Sequence, residues 1–208
     1  NDYTALKVDA LQATAIYAEE SVFHYWLGIA YVHEKDYSAA ILSLNIAKQH
    51  TDNPELLVRI YSELGDNYYR TKAFQDSDKS YEEALVYSPN NAYVLNNYSY
   101  YLSLRKEHLH KAKSMARRLI MLYPNEPAYL DTYGWVLYQM KQYKEASLYL
   151  EKAAAQSESA AIFDHYGDVL YQLKKVDEAV VWWEKSKAAG NTSTLIEKKI
   201  KEKMLYEE

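Results

Sequence analysis

The sequence predicts an all-α solenoid, a series of antiparallel helix pairs stacked layer on layer. Three observations predict it. Gly28, Gly65, Gly134 and Gly167 lie inside apolar helical runs, with Ser99 where a further glycine is due, at steps of 37, 34, 35 and 33 residues. A glycine inside a helix costs about 1 kcal/mol relative to alanine, so a recurring one needs a packing reason. The same large residues recur around each glycine, and self-similarity near 34 residues marks a helical repeat array.

The elements follow in order. Tyr3 to about Tyr17 reads as one helix with Leu6, Ala10, Ala13 and Tyr17 towards one side, taken as the second helix of an upstream unit. Counting each glycine as the eighth residue of its unit, five units begin at Ser21, Val58, Ala92, Pro127 and Ala160. In each first helix the fourth, seventh and eleventh places form one buried stripe: His24, Leu27 and Tyr31 in the first unit, Phe163, Tyr166 and Leu170 in the fifth. Twelve residues after the glycine comes a second small residue, at Ala40, Ser77, Ala146 and Ala179, and at Ala112 in the third unit, where the Lys106–Leu109 turn holds one extra residue. Leu44, Tyr81, Ala116, Leu150 and Trp183 follow, then Ala47, Ala84, Leu119, Ala153 and Ser186. This is a second amphipathic helix whose small residues let it approach the first closely. Pro89 and Pro124 stop two units where a proline can end a helix without breaking it. After Gly190, Thr192 or Ser193 is placed to cap a last helix running to about Leu205, with Ile196, Ile200, Met204 and Leu205 inward and Lys198, Lys199, Lys201 and Lys203 in the solvated remainder.

This pattern resembles the tetratricopeptide repeat family, over residues 21 to about 190. The resemblance implies a right-handed superhelical solenoid whose segments are 1–20, the second helix of a truncated upstream repeat; repeats at 21–57, 58–91, 92–126, 127–159 and 160–190; and a capping helix at 191–208. The runs NNYSYYL, LDTYGWVLYQMKQYKEA and FDHYGDVLYQLKKVDEA look like those of bacterial members of the family, many of them envelope lipoproteins. That resemblance points to the periplasm or cell envelope, with the cytoplasm as the alternative. The chain starts at Asn1, and a fragment or processed product is expected.

Composition narrows the function. There is no cysteine, which removes disulfides, thiolate nucleophiles and thiolate metal sites. The net charge of −5 argues against a nucleic-acid partner. It is uneven: residues 1–104 carry 7 basic and 14 acidic groups, residues 105–208 carry 17 and 15. No 18-residue apolar run exists, so no membrane span is expected in this stretch. No catalytic constellation appears, and no cofactor or metal site is expected: His108 and His110 form an HxH pair at a turn with no third ligand nearby. His165 beside Asp164 lacks a nucleophile.

Tyrosine, 23 of 208 residues, is in excess of what the repeat's core slots absorb. In the family resembled, the first helix of each pair lines a concave surface, and places two, five, nine and twelve project into it. Those places, with the neighbouring Asn97, give the candidate groove residues Tyr25, Tyr69, Tyr93, Asn96, Asn97, Tyr100, Asp131, Trp135, Tyr138, Asp164, Asp168 and Tyr171. Rigid aromatics in a row mark a contact surface. The two asparagines can bond an extended backbone, and the aspartates make the far end acidic. The clamp by which some family members hold a chaperone C-terminus is not met, since Asn97 alone matches it. The expected function is therefore a non-enzymatic scaffold that holds another protein, as an extended peptide or helix, in a tyrosine-rich groove. Two alternatives stand beside it: a structural spacer or oligomerisation element of a larger envelope protein, and a regulatory array attached to a catalytic domain outside this stretch.

Overall fold

The structure, a computed structural model, describes residues 2–206; the outermost residues of the first and last expected segments, 1, 207 and 208, lie outside it. Among the described residues there are twelve helices and no strand: α1 Tyr3–Ile16, α2 Ser21–His33, α3 Tyr37–Gln49, α4 Pro54–Arg70, α5 Phe74–Tyr87, α6 Ala92–Arg105, α7 Leu109–Leu122, α8 Pro127–Gln139, α9 Tyr143–Ala154, α10 Ala160–Gln172, α11 Val176–Ala188 and α12 Thr194–Glu202. They fall into two compact units, Asn1–Tyr98 and Ser99–Glu208, with α6 contributing its first half to one and its second half to the other.

Within each unit the packing is that of helix pairs: α2 on α3 and α4 on α5 in unit 1, α8 on α9 and α10 on α11 in unit 2. The glycines explain the closeness of each pair. A Cβ on Gly28 would lie 2.8 Å from Leu44 Cγ, on Gly65 2.7 Å from the Tyr81 ring, on Gly134 2.6 Å from Leu150 Cγ and on Gly167 2.5 Å from Trp183 Cδ1. Each large residue occupies the space that a side chain would need. The third repeat departs at both places together. Ser99 replaces the glycine and Ala116 replaces the large partner, and both are fully buried, so volume moved from one place to the other. A serine also ties the start of a pair to its end. Ser21 Oγ donates to the Ala47 carbonyl, and at the equivalent places of the fifth repeat Ser186 Oγ donates to the Ala160 carbonyl, both at 2.8 Å.

The turn between the helices of each pair is a repeated device. Lys35, Lys72, Lys106, Lys141 and Lys174 all have φ between 56° and 67°. In each case the lysine N–H bonds three residues back, and the next N–H bonds five residues back, as in Asp36 to Tyr31 and Gln142 to Leu137. This left-handed helix stop is normally glycine's. The extra residue of the third repeat is absorbed by a second left-handed residue, His108 at φ 45°.

Three boundaries differ from expectation. Helix α4 starts at Pro54, four residues ahead of the unit start at Val58, because Asn53 caps it through Glu55 and Leu56 N–H with proline at the first helical position. Helix α1 stops at Ile16. Helix α12, capped by Ser193, stops at Glu202, where Lys203 turns left-handed at φ 50°, so Met204 and Leu205 lie beyond it.

Candidate functional site

A rule visible in the repeat register organises the inner face of each unit. The sixth residue of a first helix meets the fifth and ninth residues of the first helix before it. In unit 2, His165 of α10 places Nδ1 2.9 Å from Asp131 Oδ1 of α8. Its ring stacks on Trp135, centroids 4.0 Å apart and planes 18° apart, and Trp135 stacks in turn on Tyr138 at 4.6 Å and 5°. Tyr100 stands 6.4 Å from the same imidazole. One layer on, Lys199 of α12 reaches Asp164 at 2.9 Å and spans Asp168 at 2.7 and 2.9 Å, while Trp183, the residue seated on Gly167, donates its Nε1–H to Asp168 at 2.8 Å. Tyr171 lies 5.9 Å from the Trp183 ring.

These contacts fix the charges. Burial pulls the His165 pKa down, but Asp131, then Asp168 and Asp164, outweigh it and leave it raised. Desolvation works likewise against Lys199, and the two aspartates more than reverse it, so its ammonium stays charged. Burial, with Asp164 adding to it, leaves the Asp168 carboxyl raised although Lys199 and Trp183 draw it down. With three contacts from two donors on one carboxylate, Lys199 and Asp168 form an ion pair.

Unit 1 follows the same rule with different residues. Asp66, at the ninth place of α4, accepts from Tyr81 at 2.5 Å, from the Tyr93 hydroxyl, and from Asn97 Nδ2 at 3.4 Å. Tyr81 is the residue seated on Gly65, so Tyr81 with Asp66 repeats Trp183 with Asp168. No ammonium completes this site among the described residues. Glu63, at the sixth place of α4, borders a cavity of about 190 Å³ together with Tyr25, Val58, Arg59, Ser62, Asn91 and Tyr93. Burial raises the Glu63 pKa to about 7, with Asp66 adding to the rise and Arg70 opposing it. Tyr25 is raised by burial and by Glu63.

The expected groove residues thus fare differently. Tyr93 is 48 % exposed. Tyr69, Asn96, Asn97, Tyr100, Asp164 and Tyr171 are half-buried. Tyr69 lies against Phe74, 5.4 Å between centroids, apart from the others. Contrary to the expectation of a row of exposed aromatics, Tyr25, Trp135 and Tyr138 are buried, with Trp135 only 8 % exposed. They fill the space between first helices, where His165 supplies a third ring in unit 2. Asp131 and Asp168 are buried as well and already engaged. Lys199, expected among the solvated charges, is 4 % exposed, because the register brings the sixth place of α12 over two carboxylates. Glu63 and Lys199 are inner-face residues that the stripe of places two, five, nine and twelve does not include. Their signal was the sixth place itself, which reads Glu, Asn, Thr, His, Lys from the second repeat to α12.

The repeat geometry and the known proteins agree. The helix pairs have the fold of tetratricopeptide repeats and resemble that family. The family described as anaphase-promoting complex, cyclosome, subunit 3, matches residues 105–185. A TPR repeat-containing protein of Pseudomonas aeruginosa is 30 % identical over 76 residues, which are 36 % of this chain and 13 % of that protein. Among solved structures, Pseudomonas aeruginosa PilF aligns with a TM-score of 0.71 at 22 % identity, over 85 % of this chain and 79 % of its own. PilW, a widely conserved type IV pilus biogenesis factor, gives 0.76 at 19 % over 88 % and 85 %. The Cut9–Hcn1 hetero-tetramer of the APC/C gives 0.82 at 14 %, over 99 % of this chain and 40 % of that one. These likenesses establish the fold, which bacterial repeat proteins share. Repeats of this type generally mediate protein–protein interaction. No helix among the described residues is long and apolar enough to cross a membrane.

Proposed function

We propose that the chain is a non-enzymatic scaffold that holds an extended peptide or partner helix against its first-helix face. The observation that carries the reading is the inner face of unit 1. There a cavity bordered by Tyr25, Val58 and Tyr93 lies beside Glu63, a carboxylate with no ion-pair partner among the described residues, whereas the corresponding places of unit 2 are filled by the chain itself. Aromatic walls with a few polar groups suit a peptide side chain and offer no nucleophile or metal set. PilW is a type IV pilus biogenesis factor, and a pilus-assembly or other envelope apparatus is a natural setting for such a scaffold.

The test is site-specific photocrosslinking in the native cell. A benzophenone side chain at Tyr93 should capture a partner that the same group at Leu148, exposed on α9, does not. Capture from Leu148 alone would place binding on the outer face. That second reading, docking through the second helices as an assembly element, has its own observation. Leu148 and Val181 occupy the same place in adjacent repeats of unit 2 and are both exposed.

A further inference from the structure

We infer that the cavity in unit 1 is a binding pocket for one cationic side chain, the lysine or arginine of a partner segment laid along α4, with Glu63 as its counter-charge. This rests on the groove reading above and names the partner chemistry that it takes.

The chain itself shows what such a place binds. In unit 2 the sixth place of α12 inserts an ammonium between the fifth and ninth places of α10, and Lys199 makes three contacts of 2.7–2.9 Å to Asp164 and Asp168. The ninth-place carboxylate is held for it by the indole of Trp183. Unit 1 has the same ninth-place carboxylate, Asp66, held by Tyr81 from the equivalent position of the second helix. The sixth place of the next helix is Asn97, which donates one long bond and brings no charge. The sixth place of α4 is Glu63, which adds negative charge. Across from it, the fifth and ninth places of α2 are Tyr25 and Ile29, neither of which can neutralise a carboxylate.

The result is a carboxylate without an ion pair, offset only by the Coulombic pull of Arg70, beside a cavity of about 190 Å³ with Tyr25, Val58 and Tyr93 along it. Half-burying a carboxylate without an ion pair is costly, and desolvation pushes the Glu63 carboxyl up to about 7. A cationic side chain entering the cavity removes that penalty, and its methylene stem finds Val58 and the rings of Tyr25 and Tyr93. Arg59, exposed at the rim, makes no ion pair with Glu63.

The test uses the whole chain and, as probe, a phage-displayed library of random linear peptides, selected above neutral pH. The expected binders share a lysine or arginine. They lose roughly tenfold or more in affinity for Glu63→Gln, keep it for Leu148→Ala, and are replaced by acidic peptides when Glu63→Lys is the bait. Circular dichroism confirms that each variant is folded. On binding, the Glu63 carboxyl carbon, followed by NMR, should report a fall in its pKa. Binders that lose affinity with Tyr93→Ala but share no cation and ignore Glu63→Gln overturn the pocket and leave the groove reading standing. Binders indifferent to both variants, or no binders, overturn the two together.

Discussion

Units 1 and 2 share a backbone scheme and differ in what they do with charge. Each pair of helices closes over a glycine, each first helix ends on a left-handed lysine, and each ninth-place aspartate that is present is held by the ring seated on the glycine. In unit 2 the next layer then supplies a complementary group, the imidazole of His165 to Asp131 and the ammonium of Lys199 to Asp164 and Asp168. In unit 1 it supplies Asn97 to Asp66, and Glu63 meets Tyr25. The difference teaches that a repeat fixes where side chains meet but not whether the meeting is satisfied. The satisfied face is a core, and the unsatisfied one is where we propose that a partner binds.

The largest way to break this comparison is to remove the cation of unit 2. Lys199→Met leaves the buried Asp168 and the half-buried Asp164 without their cation, and it should destabilise unit 2 by about 3–5 kcal/mol. Adding Asp168→Asn should recover much of the loss, because the second uncompensated charge goes too. Urea unfolding, with hydrogen exchange on α10 and α11 to locate the effect, measures both. An unchanged midpoint for Lys199→Met would show that the ion pair is not structural.

A smaller effect probes what is shared. Gly167→Ala drives a methyl to 2.5 Å from an indole that Asp168 pins, and it should cost about 1–3 kcal/mol. Gly28→Ala meets Leu44 at 2.8 Å, a side chain that can shift more cheaply, and should cost less. Equal costs would mean that the hydrogen bond to Asp168 does not hold the ring.

Glu63→Gln sharpens the charge difference through pH. The carboxyl titrates near 7 when folded against an ordinary value of 4.5. It therefore binds its proton more tightly in the folded chain. The stability it lends is full below about 4.5 and is lost as pH rises through about 7. The glutamine variant should match the wild type in acid and exceed it above pH 7 by on the order of 1–2 kcal/mol. Thermal melts across that range decide it, and parallel curves would show the carboxyl to be solvated. Smallest of all, Lys72→Gly and Lys141→Gly should each stabilise their unit by a few tenths to about 1 kcal/mol, since both relieve the same left-handed strain.

The fold was legible because glycine in a helix has few explanations. The interval of Gly28, Gly65, Gly134 and Gly167 locates both helices of each of those pairs, and Ser99 and Ala116 stand out from it as separate departures whose compensation only the packing reveals. The inner face was legible only in part. Whether an aromatic at places two, five, nine or twelve is exposed depends on the residue opposite, which helical periodicity does not reveal. Trp135 reads as an anchor until His165 is seen lying flat against it. Lys199 reads as solvated for the same reason, since charge on a short amphipathic helix is ordinarily outward. The left-handed lysines carried a plain signal, one at the fifteenth place of all five units, obscured because lysine is not the residue expected there.

The sixth-place contact has a consequence for how such a chain can change over generations. Because each layer carries the complement of its predecessor, with histidine addressed to one aspartate and lysine to two, the layers of unit 2 are not interchangeable bricks. Swapping α10 and its partner with another repeat would set Asp131 or Asp164 against a residue of the wrong kind. A duplication of this segment would survive only where its two edges still fit, so the order of the layers is as heritable as their sequence.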